Sequence, residues 1–150
     1  LTKLPAMSQM PNSFRIAPVQ GDVMMEQWVR VSSAGFQIAL PLYFSAYSRF
    51  GYDAAAPMRQ FIGYIDDMPV TSGTLLEAGG CAVIYDISTP PDKRGRGFGS
   101  AITLYMLQCA LQHGYSESWI WSSDQARGLY RSLGFVDADF GLREHSWLRK

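Results

Sequence analysis

The hydrophobic pattern changes character near Gln60. Before it, apolar residues recur at helical spacing; after it, short apolar runs alternate with turn residues, the mark of strands. Leu1 to Ser13 carries Pro5, Pro11 and scattered methionines and reads as a tail or linker. Phe14 to Val19 predicts a first strand. Asp22 is placed to cap a helix running to about Ser33, with Met24, Trp28 and Val31 on one side. A second helical stretch, Ile38 to Phe50, is crowded with Tyr43, Phe44, Tyr47 and Phe50. Most of these rings suit a core, and some suit the rim of a pocket.

Phe61 to Ile65, Val70 to Leu76 and Cys81 to Ile87 are separated by Asp66-Asp67-Met68-Pro69 and Ala78-Gly79-Gly80, which predicts an antiparallel meander. Pro90-Pro91 ends regular pairing after the third of these strands. Ser100 to His113 has helical length and apolar residues around much of its circumference, so it wants burial against a sheet. Gly114 stops it, and Ser118 to Trp121 is a short strand. Asp124 is placed to cap a last helix with Ala126, Leu129, Tyr130 and Leu133 on one face, ended by Gly134. Phe135 to Trp147 has the pattern of one or two further strands. A meander followed by strand, crossover helix, strand and helix predicts an α/β sandwich with a mixed sheet.

The 150 residues suit one domain, and 47% hydrophobic residues supply its core. Thirteen basic and thirteen acidic residues balance, which gives no general reason for a nucleic-acid partner. Cys81 and Cys109 lie in no CxxC or Cys/His cluster, and they read as reduced core thiols rather than a disulfide, a nucleophile or metal ligands. His113 and His145 with scattered carboxylates show no metal-site spacing. Neither a membrane-length apolar run nor a charged-then-apolar leader is present, so the expectation is a cytoplasmic protein without a membrane partner.

The candidate chemistry lies at Arg94-Gly95-Arg96-Gly97-Phe98-Gly99-Ser100, directly before the long helix. Amides at a helix start converge on anions, and glycine allows tight turns and close ligand approach. Lys93, Arg94 and Arg96 add charge, so a pyrophosphate suits the cluster, with a glycine turn carrying solvated basic side chains as the competing reading. A P-loop needs GxxxxGK followed by Ser or Thr, which is missing. A dinucleotide fingerprint needs GxGxxG, and Ser100 stands where its last glycine belongs.

These residues resemble the GCN5-related N-acetyltransferase (GNAT) superfamily. Its pattern of Arg or Gln, two residues, Gly, one residue, Gly or Ala is met by Arg94 to Gly99, after a strand and before a long helix. Gly128-Leu129-Tyr130-Arg131-Ser132-Leu133-Gly134-Phe135 is similar to the family's second segment, a helical tyrosine followed by Leu-Gly-Phe. The resemblance covers Gln60 to the C-terminus and implies a domain over 14–150 behind a tail at 1–13. It implies a mixed, mostly antiparallel sheet flanked by helices, with a central V-shaped parting between the strands ending near Ile87 and Ser122. Acetyl-CoA would lie in that parting. Ile87, Ser88 and Thr89 would offer backbone hydrogen bonds to the pantetheine arm or acyl carbonyl. Arg94, Gly95, Arg96, Gly97, Phe98, Gly99 and Ser100 would receive the pyrophosphate, and Ser123 or Ser122 would contact the thioester arm.

The implied reaction is direct attack of a primary amine, of a small molecule or a peptide, on the thioester of acetyl-CoA. Tyr130 resembles the tyrosine that meets the leaving sulfur, although it also completes an apolar stripe. The general base stays open: Glu77, Asp86, Glu26, His145 and a water path all remain candidates, since Gly80 to Tyr85 holds no carboxylate. The alternative function is a non-catalytic acyl-CoA-binding sensor of the same fold. A homodimer is compatible with the sequence.

Overall fold

The structure, a computed structural model, describes residues 10–53 and 55–138. Five strands form one sheet in the order β1 (Phe14–Pro18), β2 (Met58–Ile65), β3 (Met68–Ala78), β4 (Cys81–Ser88) and β5 (Ser118–Ile120). The first four are antiparallel and β5 joins β4 in parallel. The meander turns form as the sequence predicts, because each supplies two residues tolerant of positive φ: Asp66 and Asp67 at 47° and 63°, and Gly79 and Gly80 at 61° and 82°.

Helices cover both faces. On one, α1 (Asp22–Phe36) and α2 (Leu40–Tyr47) bury Met25, Trp28 and Val29 with Ile62 and Tyr64 of β2. On the other, α3 (Phe98–Gln112) packs Ile102, Met106 and Leu107 onto Phe61, Leu75 and Ile84. α4 (Asp124–Ser132) follows β5, with Leu129 and Leu133 against that second core. The buried face of α1 is therefore broader than Met24, Trp28 and Val31, with Met25 fully enclosed and Met24 half-buried. Phe50, in a short 3-10 turn after α2, is exposed rather than core.

Both predicted helix caps shift by one residue. Gly21 and Ser123 occupy the N-cap positions, with Asp22 and Asp124 first inside each helix, where a carboxylate complements the helix dipole. Both cysteines are free; they are half-buried rather than enclosed, with Cys109 against the α3-side core. Residues 135–138 form no strand, and the rest of the predicted Phe135 to Trp147 strands lies outside the described residues. Among the described residues, no helix is long and apolar enough to cross a membrane.

Candidate functional site

The parallel pairing of β4 and β5 is short. It runs over Ala82↔Ser118, Val83↔Trp119 and Ile84↔Ile120 and then stops, while β4 continues to Ser88. The β5-facing edge of Ile87 and Ser88 therefore opens into a cleft, the parting that the resemblance implies. β4 also carries a bulge here: Thr74 pairs with Tyr85 and Ser72 with Ser88, so three steps on β4 answer two on β3. Asp86 takes up the extra residue at φ 54°, a conformation that aspartate tolerates better than most side chains.

The bulge changes which face each side chain meets. Tyr85 points to the α1 side, and so does Asp86, whose Oδ2 accepts hydrogen bonds from Tyr47 and, at 3.3 Å, from Thr74. Ile87 turns to the α3 side and packs on that core. Strict alternation would instead have driven the Asp86 carboxylate into the apolar layer under α3. Ser88 returns to the α1 side, where its hydroxyl meets the carbonyls of Val31 and Ser32 at 3.3 and 3.2 Å. Its own carbonyl accepts a 2.9 Å bond from the Thr71 hydroxyl, which also lies 3.0 Å from the Thr89 hydroxyl.

The cleft beyond this edge, about 780 Å³, is lined by Ile87, Ser88 and Thr89, by the loop from Lys93 to Ser100 without Arg96, and by α4 residues including Tyr130, with Ser123 at its N-cap. Gly97 is the N-cap of α3 at φ 82° and provides no side-chain cap, leaving the first-turn amides without a side-chain partner. Gly95 is also left-handed, at 74°, with open space where a Cβ would stand. Phe98 anchors this turn: it is buried and stacks on Phe14 of β1 at 5.5 Å between ring centroids. Uncapped amides, left-handed glycines and a roomy cleft fit a pyrophosphate-bearing ligand.

The basic side chains divide their work in a way the sequence does not show. Arg94 donates to the carbonyls of Thr89 and Gly35, both at 3.0 Å, so its guanidinium ties the loop to α1. Arg96 lies outside the lining, with its guanidinium 5.5 Å from the centre of the Phe98 ring. Lys93 lines the cleft and pairs with Asp92 at 2.9 Å, a bond that holds the Asp92 carboxyl below its usual range.

Tyr130 is 7% exposed, and burial pushes its phenol up to about 12. Its ring meets Phe135 edge-on at 6.0 Å, so the apolar-stripe and cleft-facing readings of this residue coexist. The Ser122 hydroxyl is engaged with the Ser123 carbonyl at 2.7 Å. Of the base candidates, Glu77 is bound to Arg59 and His113 beside the C-terminal end of α3. That helix has 15 residues, which puts Glu77 about 20 Å from the glycine loop at the other end. Glu26 is exposed on α1, and His145 lies outside the described residues.

Gly35, Phe36 and Gln37 also line the cleft, and no pattern in the sequence marks them. They arrive there because α1 continues past Ser33 and ends in a left-handed Gln37 at φ 59°. Gly35 allows the approach: a Cβ there would stand 1.8 Å from Ser88 Oγ.

A splayed sheet with a glycine-ringed helix start beside the parting is an α/β architecture of the acyltransferase kind. The Acetyltransferase (GNAT) family model matches residues 24–135, and the chain belongs to that family. Human N-acetyltransferase 8B is 35% identical over 91 residues, covering 59% of this chain; the chain spans 39% of that relative's length. A predicted acetyltransferase from Clostridium acetobutylicum, solved with acetyl-CoA, superposes with a TM-score of 0.68 at 13% identity, over 88% of this chain and 96% of its own. An aminoglycoside acetyltransferase from an uncultured soil metagenomic sample, in complex with sisomicin, gives 0.73 at 17% identity, over 92% and 98%. At these identities the two structures share the fold alone.

Proposed function

We propose that the protein transfers an acetyl group from acetyl-CoA to a primary amine by direct attack. The observation that carries this reading is one cleft holding both the uncapped, glycine-flanked start of α3 and the buried phenol of Tyr130. In it, the backbone of Gly95 to Ser100 receives the pyrophosphate, while Arg94 holds the loop in position and Lys93 supplies charge at the rim. The free edge of Ile87 to Thr89 receives the pantetheine amides as a strand partner would. Ser123 stands at the mouth of α4 beside the same arm.

Acetyl-CoA supplies the acetyl group as an activated thioester. The protein must remove a proton from the attacking amine and stabilise the departing thiolate. Tyr130 suits the thiolate, because a phenol near 12 stays protonated at neutral pH and donates toward sulfur. Asp86 is the base candidate that adjoins the Ile87 to Thr89 edge, with its carboxyl raised above the usual range by burial and lowered in part by the Tyr47 and Thr74 hydroxyls.

The family match and the Clostridium structure solved with acetyl-CoA support the choice of donor. Thiol release from acetyl-CoA in the presence of an amine panel tests the reading. Amine-dependent release supports transfer; coenzyme A binding without release by any amine points to an acyl-CoA sensor.

A further inference from the structure

The Asp86 carboxylate is half-buried and short of positive charge. Tyr47 and Thr74 both donate to Oδ2, and Oδ1 takes part in neither bond. Both donors are neutral. Among the described residues, Asp86 is in no ion pair with an arginine, lysine or histidine. A carboxylate removed from water without a cation is costly, and it offers about four acceptor positions of which two are used here. Its negative charge reaches the surrounding phenols: Tyr43, Tyr47 and Tyr85 are all raised by burial and by Asp86.

Those rings make a wall beside the carboxylate. Tyr43 and Tyr47 stack at 5.9 Å with an interplanar angle of 14°, and Phe50 leans on Tyr47 at 6.4 Å. Phe50 is 59% exposed, so the wall reaches solvent. Aromatic faces attract cations as carboxylates do, and together they favour an organic ammonium ion over a neutral or anionic molecule. The bulge at Asp86 places this carboxylate directly before the Ile87 to Thr89 edge.

We infer that Asp86 and the Tyr43–Tyr47–Phe50 wall bind the acceptor as an organic ammonium ion, its charged head at Asp86 Oδ1 and its apolar stem along the rings. The inference rests on the acetyl-transfer reading, which makes the bound amine the acceptor. It concerns recognition, and it holds whether or not Asp86 also takes the proton.

The probes are 2-phenylethylamine, charged at neutral pH, and 2-phenylethanol, its neutral counterpart, titrated into the free protein. Tryptophan fluorescence reports the titration, since the Trp28 ring lies 4.9 Å from that of Tyr47. The expected result is saturable amine binding about tenfold or more tighter than the alcohol, with Asp86→Asn reducing the amine to the level of the alcohol. Equal affinities, no saturable amine binding, or an unchanged preference in Asp86→Asn would overturn the inference. Should Asp86→Asn not fold, Phe50→Ala removes an exposed ring of the wall and must weaken 2-phenylethylamine binding; an unchanged amine affinity overturns the inference. Coenzyme A binding is measured separately on the same protein. Its failure with the ammonium preference intact contradicts the donor assignment and supports this site.

Discussion

Arg94 reaches Gly35 across 59 positions of sequence, donating from Nη2 to the Gly35 carbonyl at 3.0 Å. The same guanidinium donates from Nε to Thr89, so one side chain joins the end of α1, the end of β4 and the glycine loop. Arg94 thus holds the frame around the glycine loop.

Arg94→Lys should therefore not be conservative. An ammonium cannot reproduce a fixed two-point fork. Because the side chain is exposed, the expected loss is about 1 kcal/mol of stability, or roughly 3 °C in melting temperature. Coenzyme A affinity should fall with it. A melting curve and a coenzyme A titration check both.

The glycines separate two kinds of constraint. At Gly97 the nearest atom to an added Cβ is 3.7 Å away, so Gly97→Ala meets backbone strain at φ 82° rather than a clash. That costs about 1–2 kcal/mol and should weaken coenzyme A binding more than it disturbs the core. At Gly35, whose φ is ordinary, the obstacle is steric. Gly35→Ala forces Ser88 and the end of β4 away from α1, costing about 1–3 kcal/mol. Pairing Gly35→Ala with Ser88→Gly should recover part of that loss in thermal denaturation.

Tyr130→Phe keeps the ring packed on Phe135 and removes only the hydroxyl. Coenzyme A binding should be retained while turnover falls by about 10²-fold or more, the scale of a lost proton donor. Equal turnover in the variant and the parent from pH 7 to 10 would leave Tyr130 a packing residue.

Alkaline stability follows from the buried phenols. Burial raises Tyr130 to about 12, and burial with Asp86 raises Tyr85 to about 12, from an ordinary 10.0. A folded-state value above the unfolded one means that this contribution is complete below pH 10 and is lost as pH rises through about 12. Melting temperature should accordingly fall above pH 10. Tyr85→Phe should flatten that fall.

The meander and the glycine turn before α3 are legible in the sequence because they rest on local signals. Asp66-Asp67 and Gly79-Gly80 write the turns, and the glycines before Phe98 write the helix start. The side-chain roles are less legible because they depend on residues brought together from afar. Gly35 gives no local sign that it faces Ser88, and Arg94 gives none that it is spent on two carbonyls. The Asp86 bulge is hidden for the same reason: an extra residue in one strand is defined by its partner strand. Asp22 and Asp124 misplace the caps by one position, since an aspartate suits both the cap and the first turn.

Amide hydrogen exchange with and without coenzyme A tests the cradle most directly, because it reads the backbone donors themselves. The expected result is new protection confined to Gly95 to Ser100 and to Ile87 to Thr89. Saturable binding that leaves the Gly95 to Ser100 amides exchanging as before would contradict the assignment of the pyrophosphate to the start of α3.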